Sequence, residues 1–331
     1  MRILSGIQPT GDKHLGNLIG ALRHYATNQH LGEAFYFIAD LHALTLLPDP
    51  AELRRATLST AAMVLAAGVD PDRATLFVQS HVAPEHTQMA WVLQCVANMG
   101  ELNRMTQFKD KTEGTKDGGS VGLFAYPVLQ AADIVLYDAD HVPVGHDQKQ
   151  HLELARNLAQ RFNNRYGAGT LVVPAPLIAA VGGRVRDLQD PAKKMSTSTG
   201  SEKGTVWITD EPAAVLKKFK SAVTDGDNEV RYDADAKPGI ANLLELMHVA
   251  TGTEVAALEA EYGSGGYGNF KTAAGEAMVE YLRPVRERYL ELVHDEPALQ
   301  RILTGGADRA REVATSTLDR VVVKTGLLPR G

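Results

Sequence analysis

The sequence contains only one cysteine, Cys95, among its 331 residues. A single thiol cannot form an internal disulfide, which fits a reducing compartment, and we predict a cytoplasmic protein. Cys95 lies in an apolar stretch with helical spacing, which favours a buried structural thiol over a nucleophile. Cys-x-x-Cys pairs are also absent and the histidines are scattered over different elements, so the pattern predicts no metal site built from protein ligands.

Long apolar runs and an excess of positive charge are missing as well. No apolar run reaches the roughly 18 residues that a membrane-spanning helix needs, and the first residues show no apolar segment typical of a signal peptide. The 40 acidic residues outnumber the 34 basic ones, which gives a net charge of −6. This balance argues against a protein that coats nucleic acid non-specifically, although a local basic surface can still bind RNA.

The amino-terminal part of the chain alternates between strand and helix patterns. Asp49, Pro50 and Glu52 combine an N-cap, a proline at the first helical position and a glutamate three residues after the cap, which is typical of a helix start. Alternation of this kind predicts an α/β fold with a parallel sheet covered by helices. The predicted strands are 2–5, 34–40, 75–79 and 141–144, and the predicted helices are 18–30, 50–67, 91–105, 128–137 and 149–166.

The character of the chain changes after Gly204, where strand patterns almost disappear. We therefore predict two domains, residues 1–204 around the sheet and residues 205–331, which are all helical. The first domain includes a helical insertion around 81–140, with a loop over the glycine-rich and charged residues 113–122. The helices predicted in the second domain are 211–223, 240–251, 270–295, which Pro284 should kink or divide, and 309–324.

Two polar segments, far apart in the chain, have the composition of phosphate-binding loops. The first runs from Ser5 to Gly11 and leads to His14-Leu15-Gly16-Asn17 at a predicted helix start. Glycine lets a nucleotide approach the backbone, a helix N-terminus favours phosphate, and the side chains of His14 and Asn17 can donate hydrogen bonds. The second is the basic, glycine-ended loop 193–200. Taken singly, the first is also compatible with an ordinary polar turn and the second with a solvated linker.

Together and in this order, the two segments resemble the ATP-handling motifs of class I aminoacyl-tRNA synthetases, usually written His-Ile-Gly-His and Lys-Met-Ser-Lys-Ser. Longer stretches extend the resemblance over essentially the whole chain and are similar to the tryptophan branch of this family. They are residues 5–11, 39–43, 100–109, 126–133, 142–151, 194–198 and 237–240. The resemblance implies a Rossmann-like catalytic domain in residues 1–204 and a helical, tRNA-anticodon-binding domain in residues 205–331.

The resemblance also implies which residues bind ATP. The catalytic set would be Lys194, Ser196, Lys111, His14 and Asn17. The ATP-binding set would be Gln8, Pro9, Thr10, Gly16, Asn17, Gly145, His146, Asp147, Val185, Lys194, Met195, Ser196, Thr197 and Ser198.

The amino-acid pocket follows from the same resemblance. Indole N–H is a donor only, so a tryptophan site needs a buried acceptor, and Asp133 has that role in the family pattern. A local cap or ion pair is the alternative role for this carboxylate, although an unpartnered charge in an apolar helix is costly. The implied amino-acid-binding set is Asp133, Tyr126, Gln130, His42, Gln148 and Gln8.

The implied reaction is attack of the tryptophan carboxylate on the α-phosphorus of ATP, followed by transfer of tryptophan to tRNA(Trp). The nucleophile is already ionised at neutral pH, so alignment and charge stabilisation replace a general base. The family also implies Mg²⁺ carried by ATP with few protein ligands, and a homodimer for which residues 91–105 are the candidate interface.

Three positions depart from the family pattern: Thr197 replaces a lysine, Gln130 a common methionine and His146 a common glutamate. Lys193, Lys203 and Lys111 are the cations available to substitute for the missing lysine. The departures leave open a tyrosyl-tRNA synthetase and a catalytically weak paralogue that senses tryptophan or tRNA. A small-molecule nucleotidylyltransferase is a further alternative, but it usually lacks a tRNA-binding helical domain.

Basic residues at helical spacing are the candidate tRNA contacts, and a solvated surface of mixed charge is the alternative. They are Lys217, Lys218, Lys220, Arg283, Arg286, Arg288, Arg309, Arg311, Arg320 and Lys324.

Overall fold

A single parallel sheet organises the amino-terminal part of the molecule and confirms the predicted α/β, Rossmann-like class. The computed structural model describes residues 1–106, 119–145, 149–177, 185–196 and 200–329. The strand order is β3-β2-β1-β4-β5. The strands are β1 Arg2–Ile7, β2 Glu33–Ile38, β3 Ala74–Val78, β4 His141–Pro143 and β5 Ala175–Leu177.

The four predicted strands are confirmed with small changes at their ends, whereas β5 was not predicted. β5 has only three residues, with Pro176 in the middle. Proline removes a backbone donor and is depleted in strands, so the sequence of this segment does not predict a strand. The segment forms a strand by pairing with β4, where Ala175 is the partner of His141 and Leu177 is the partner of Pro143.

Thirteen α-helices surround and extend the sheet within the described residues. A π-helical turn, Leu18–Leu22, joins the first two into one continuous segment. The helices are α1 Leu15–Asn17, α2 Arg23–Asn28, α3 Asp40–Ala43, α4 Pro50–Ala66, α5 Ala83–Gln94, α6 Met99–Leu102, α7 Val121–Leu136, α8 Lys149–Tyr166, α9 Pro212–Lys220, α10 Pro238–Thr251, α11 Val255–Tyr262, α12 Tyr267–His294 and α13 Glu296–Thr325.

The helix start predicted from Asp49 is confirmed. Its carboxylate accepts hydrogen bonds from the backbone N–H groups of Ala51 at 2.9 Å and Glu52 at 3.0 Å, which satisfies donors that the first turn leaves free. Pro284, in contrast, does not divide its helix, because α12 continues through it to His294. The buried side chains of Leu282 and Leu292 lie on either side of the proline, so packing holds both halves in place.

Two predictions about residues 91–105 are wrong. The segment is not one helix, since α5 begins at Ala83 and a second helix, α6, follows a break. Asn98 is the N-cap of α6, and its backbone N–H donates to Glu101 Oε2 at 3.2 Å. Cys95 at the end of α5 is exposed rather than buried, because it lies on the same solvent-facing side of the helix as the exposed Trp91. The loop predicted over 113–122 lies largely outside the described residues.

Two apolar cores lie around the sheet and divide the candidate site between them. The nucleotide-side core joins Leu15 and Leu18 of the first helical segment to Val185 and Met195, and continues into the buried faces of α9–α13. The pocket-side core joins strand residues such as Phe37 and Phe77 to α5, α7 and α8 and to the second half of α13. The domain boundary near residue 205 stays a prediction. In the part of the chain that the structure describes, no helix is both long and apolar enough to cross a membrane.

Candidate active site

The strand order places a binding crevice between β1 and β4. The chain runs outward from β1 to β3 on one side and to β4 and β5 on the other, so β1 and β4 flank the topological switch point. Ligands of open parallel sheets bind beyond the carboxyl ends of the strands at this point. β1 ends at Ile7, directly before Gln8, and β4 ends at Pro143.

A cavity of about 380 Å³ lies there, and most of the predicted amino-acid-binding residues line it. Gln8, His42, Tyr126, Gln130 and Asp133 come from three separate parts of the sequence and meet at this cavity. Apolar side chains complete the lining, as is usual for a small-molecule pocket. They are Leu4, Phe37, Ala39, Ile134, Val142, Pro143 and Val144. The sixth predicted residue, Gln148, lies outside the described residues.

Asp133 is the most deeply buried charged group of the cavity, with no exposed surface. Its Oδ2 is 2.7 Å from His42 Nε2, and its Oδ1 accepts from Gln79 Nε2 at 2.8 Å and lies 2.6 Å from His86 Nδ1. Burial alone would raise the pKa of the Asp133 carboxyl, but the charges and hydrogen bonds of His42 and His86 lower it to about 2. The carboxylate is therefore ionised at neutral pH and can only accept hydrogen bonds.

Tyr126 and His42 form an aromatic corner of the same cavity. Their rings meet edge to face with centroids 6.1 Å apart. The Tyr126 hydroxyl lies 3.0 Å from His151 Nε2, and burial raises the pKa of Tyr126 to about 12, so the hydroxyl stays neutral. Sequence reasoning missed Gln79, and it treated His86 and His151, like the other scattered histidines, as satisfied or solvated side chains rather than metal ligands.

The predicted ATP loop leads from β1 to the start of α1. The Asn17 Oδ1 accepts from the backbone N–H of His14 at 3.0 Å, which turns the amide NH₂ of Asn17 away from the backbone and leaves it as a donor. Thr10 donates its backbone N–H to the Gln8 carbonyl oxygen at 2.9 Å. The loop thus presents the amide NH₂ of Asn17, an uncharged donor that can bind phosphate.

A short antiparallel bridge fastens the ATP loop to the segment that follows the lysine loop. His14 pairs with Trp207, Leu15 N donates to the Val206 carbonyl oxygen at 2.8 Å, and Ile208 N donates to the Lys13 carbonyl oxygen at 3.0 Å. The rings of His14 and Trp207 also meet edge to face, 6.1 Å between centroids. The two motifs, although far apart in sequence, are therefore neighbours, and the role of Trp207 in joining them was not predicted.

His14 is a neutral group between cations. Burial first, and then the nearby ammonium groups of Lys194 and Lys13, lower the pKa of His14 to about 4. A neutral imidazole keeps one N–H donor.

The lysine loop begins as a hairpin of two antiparallel segments. Arg186 pairs with Lys194, and Met195 N donates to the Val185 carbonyl oxygen at 3.0 Å. Met195 and Val185 are buried, whereas Lys194 is exposed. A Cβ placed on Gly16 would lie 3.6 Å from Val185 Cβ, so the predicted adenine-side residue does lie beside the ATP loop.

Asp187 holds the base of this hairpin. Its buried carboxylate accepts from the backbone N–H groups of Gln189 at 2.8 Å, Asp190 at 3.1 Å and Ser201 at 3.3 Å. The backbone of Gly204 approaches the carboxylate so closely that any Cβ at this position would overlap it. The glycine at 204 is thus required by contact with Asp187.

Lys13 is a further cation of the ATP loop, and sequence reasoning did not select it. Its ammonium donates to the Thr10 carbonyl oxygen and lies 3.5 Å from the Gly11 carbonyl oxygen. Burial lowers the pKa of Lys13 to about 8, against the opposing charge of Asp12. Lys193, one of the predicted substitutes for the missing lysine, instead pairs with Asp190 at 2.8 Å on the exposed surface.

Several predicted site residues lie outside the described residues: Lys111, His146, Asp147, Gln148, Thr197 and Ser198. Gly145 is described and exposed, at the end of the segment that follows β4. Within the described ranges, no group of three or more His, Cys, Asp or Glu side chains lies close enough to hold a metal ion.

A parallel sheet with a nucleotide loop at its switch point, joined to a lysine-bearing hairpin from the far side of the chain, defines a class I aminoacyl-tRNA synthetase. The family model tRNA synthetases class I (W and Y) matches residues 1–283. The chain belongs to this family.

Similar proteins cover the chain almost from end to end. A protein named tryptophan–tRNA ligase 2 from Streptomyces avermitilis is 52% identical over 330 residues, which is 99% of this chain and 97% of that protein. Tryptophan–tRNA ligase from Mycobacterium leprae is 49% identical over 99% of this chain and 97% of its own length. The solved structure of Campylobacter jejuni tryptophanyl-tRNA synthetase, in complex with ADP and tryptophan, has a TM-score of 0.86 and 35% identity over 99% of this chain and 100% of that chain.

Proposed function

We propose that this chain is a tryptophan–tRNA ligase. It activates L-tryptophan with ATP to tryptophanyl-adenylate and pyrophosphate, and then transfers tryptophan to the 3′ end of tRNA(Trp). The observation that carries the proposal is the ionised, fully buried Asp133 carboxylate in the cavity at the switch point. The names of the similar proteins support the same activity.

Recognition of the side chain rests on an acceptor that water cannot reach. Asp133 would accept the indole N–H, while Phe37, Ile134 and Val142 would contact the apolar faces of the ring. When an amino acid without a ring N–H binds, the buried Asp133 carboxylate lacks one hydrogen bond. Such a site therefore discriminates strongly between tryptophan and amino acids that lack this donor. Tyr126, Gln130 and Gln148 would lie near the α-ammonium, and Gln8 would lie between the amino acid and ATP.

Activation itself needs alignment more than acid–base chemistry. The tryptophan carboxylate is the nucleophile, the α-phosphorus is the centre attacked, and the bond to the pyrophosphate oxygen breaks. Because the nucleophile is already ionised, the chain contributes by holding both substrates in line and by stabilising charge on the leaving pyrophosphate. The ATP loop would place the triphosphate and Val185 would contact adenine, with Gly145, His146 and Asp147 around the ribose.

Hydrogen-bond donors and cations from the ATP loop and the lysine loop would contact the phosphates. His14 and Asn17 supply neutral donors, and Lys194 and Ser196 supply a charge and a hydroxyl from the lysine loop. Lys13 adds a second ammonium within the ATP loop, in a chain that has Thr197 where the family has lysine. Mg²⁺ would be bound by the phosphate oxygens of ATP, because it keeps water and phosphate ligands and needs few from protein.

The helical region would bind tRNA, with residues 205–331 as the anticodon-binding domain. Lys217 and Lys220 on α9 are exposed, whereas Lys218 is held by Asp210 at 2.6 Å. Most of the other predicted basic residues are paired, as Arg283 is with Glu280 and Arg320 with Asp138. We therefore place the first tRNA contacts on α9. Charging of tRNA takes place where translation does, so we propose a cytoplasmic location.

We also propose a homodimer that forms through the face around α3 and α5. Large apolar side chains are exposed there, including Leu47 at 86% and Trp91 at 67%, and a groove lined by Leu41, Leu44 and Leu47 crosses to α5 and α7. The mass measured by light scattering should be that of two chains. Leu47→Arg would bury a charge in this face, so its measured mass should be that of one chain while its circular dichroism spectrum stays unchanged. A Leu47→Arg variant that is still a dimer would contradict this interface.

Exchange of labelled pyrophosphate into ATP, with each amino acid supplied separately, tests the activity directly. Tryptophan-dependent exchange and charging of tRNA(Trp) are expected. Tyrosine-dependent exchange would instead identify a tyrosyl enzyme. Binding of tRNA with no exchange for any amino acid would identify a sensor.

A further inference from the structure

A second layer of polar side chains lies behind Asp133, outside the cavity. Gln79 follows β3, His86 lies in α5 and Tyr137 follows α7. All three have no exposed surface, and none of them lines the cavity. Two of these side chains contact the buried carboxylate and the third contacts His86, so each buried polar side chain has a partner.

Both bonds from this layer to Asp133 end on the same oxygen. Oδ1 accepts from Gln79 Nε2 at 2.8 Å and lies 2.6 Å from His86 Nδ1. Because a carboxylate only accepts, His86 Nδ1 must carry the proton. On its other side, His86 Nε2 lies 2.8 Å from the Tyr137 hydroxyl, which fixes the plane of the imidazole ring.

The Asp133 carboxylate has acceptor positions beyond those that the protein fills. Each carboxylate oxygen can accept about two hydrogen bonds. Among the described residues, Oδ1 has two donors, whereas Oδ2 has one, from His42 at 2.7 Å. His42 and Asp133 both line the cavity. The acceptor position that stays open is thus on the oxygen next to the cavity.

We propose that Gln79 and His86, which fill Oδ1 of Asp133, and Tyr137, which anchors His86, are positioning residues. Together they direct the one open acceptor position of Asp133, on Oδ2, to the indole N–H. The layer would thereby set selectivity for substrates that carry a ring N–H. This inference rests on the proposed function, because tryptophan supplies that donor. If the layer only supported the fold, substitutions in it would lower the activity with every amino-acid substrate by the same factor.

A tryptophan analogue with sulfur in place of the ring N–H, 3-benzothienylalanine, separates the two roles. It keeps the size and apolar faces of indole but donates no hydrogen bond. The readout is the ratio of kcat/KM for tryptophan to kcat/KM for the analogue, measured by pyrophosphate exchange. Misplacement of Asp133 lowers the tryptophan value alone and thus the ratio, whereas general damage lowers both values together.

Two substitutions at one position form the matched pair. His86→Asn keeps a donor close to the position of Nδ1, and His86→Leu has nearly the same shape without the donor. We expect His86→Leu to lower the ratio by about tenfold or more, as loss of a hydrogen bond to a charged group does, and His86→Asn to stay within about threefold of the unmodified chain. An unchanged ratio in His86→Leu, or an equal loss for both substrates, would overturn the proposal.

Tyr137→Phe is a milder second variant that decides the matter if His86→Leu does not fold. It should lower the ratio by about threefold, because the imidazole loses one of its two anchors, and an unchanged ratio would overturn the proposal. The control is Tyr36→Phe, which also removes a buried hydroxyl, one that donates to the Tyr25 carbonyl oxygen at 2.9 Å, and should leave the ratio unchanged. If the unmodified chain shows no tryptophan-dependent exchange, the proposed function itself fails; if it does and the variants keep its ratio, only the positioning layer fails.

Discussion

The two ends of the candidate site are built in opposite ways. At the amino-acid end, Asp133 is fully buried and held by side chains from three elements. At the nucleotide end, Lys194 is exposed and the ATP loop offers the amide donor of Asn17. A single ring N–H can be distinguished only by an acceptor that water does not reach, whereas a triphosphate carries enough charge to be bound by groups in contact with solvent.

The apolar cores follow the same division. Leu15, Val185 and Met195 of the nucleotide end belong to the core that continues into the C-terminal helices. The helices that carry His86 and Asp133 belong to the other core, with Phe37 and Phe77. Changes at the amino-acid end should therefore alter which amino acid is used, and changes at the nucleotide end should alter the rate for every amino acid.

Asp133→Asn should have the largest effect. The substitution keeps the volume but places an NH₂ group among donors that need an acceptor, so kcat/KM for tryptophan should fall on the order of 10³-fold. Pyrophosphate exchange measures the loss. The sulfur analogue should lose much less, and an equal loss for both substrates would remove the distinction between the two ends.

Lys194→Ala should lower kcat by about 10²-fold, since one preorganised group that stabilises transition-state charge is lost. The ratio of tryptophan to the sulfur analogue should stay constant, because this lysine does not contact the side-chain pocket. Exchange kinetics with both substrates provide the measurement. A changed ratio in this variant would show that the two ends are not independent.

Lys13→Met should lower kcat by about tenfold. The loss is smaller than for Lys194 because we expect the Lys13 ammonium to stabilise less of the charge that develops on the phosphates. With the pKa of Lys13 lowered to about 8 by burial, the ammonium loses its proton as pH rises through 8, so exchange by the unmodified chain should decline between pH 7 and 9. The Lys13→Met variant should not show this decline between pH 7 and 9.

Lys193→Met is the matched control, because this exposed lysine pairs with Asp190. Its exchange rate and pH profile should equal those of the unmodified chain.

His14→Asn should produce the smallest effect, a change in the pH dependence of stability. The pKa of His14 is lowered from 6.5 to about 4 in the folded chain, so between these values the unfolded chain binds the extra proton. Stability then falls as pH falls through this window, by up to about 1.4 kcal/mol per pH unit for one proton. Urea unfolding at pH 4.5, 5.5 and 6.5 should show a shallower slope for the variant, and equal slopes would contradict the assignment of this proton to His14.

Much of this site could be predicted from local patterns. Strand and helix periodicity gave the parallel sheet, and the Asp49 cap was visible as three residues in a row. For the sheet and the helix cap, the signal lies within a few residues of the feature that it predicts. The pocket residues were predicted from the family resemblance, and the apolar neighbours of Asp133 supported only the choice of this carboxylate.

The features that were missed depend on partners distant in sequence. β5 exists only through its pairing with β4, and Trp207 reaches His14 across the whole catalytic region. Gln79 and His86 have no local pattern that connects them with Asp133. The exposure of Cys95 follows from the side of α5 on which it lies, which its apolar neighbours in sequence do not indicate.

A crystal structure of the chain with tryptophan and a non-hydrolysable ATP analogue would show directly whether Asp133 accepts the indole N–H. We expect the indole nitrogen within about 2.7–3.1 Å of Asp133 Oδ2, and the triphosphate between Asn17 and the Lys194 loop. An indole ring bound with its nitrogen turned away from Asp133, or phosphates outside the space between the two loops, would contradict it.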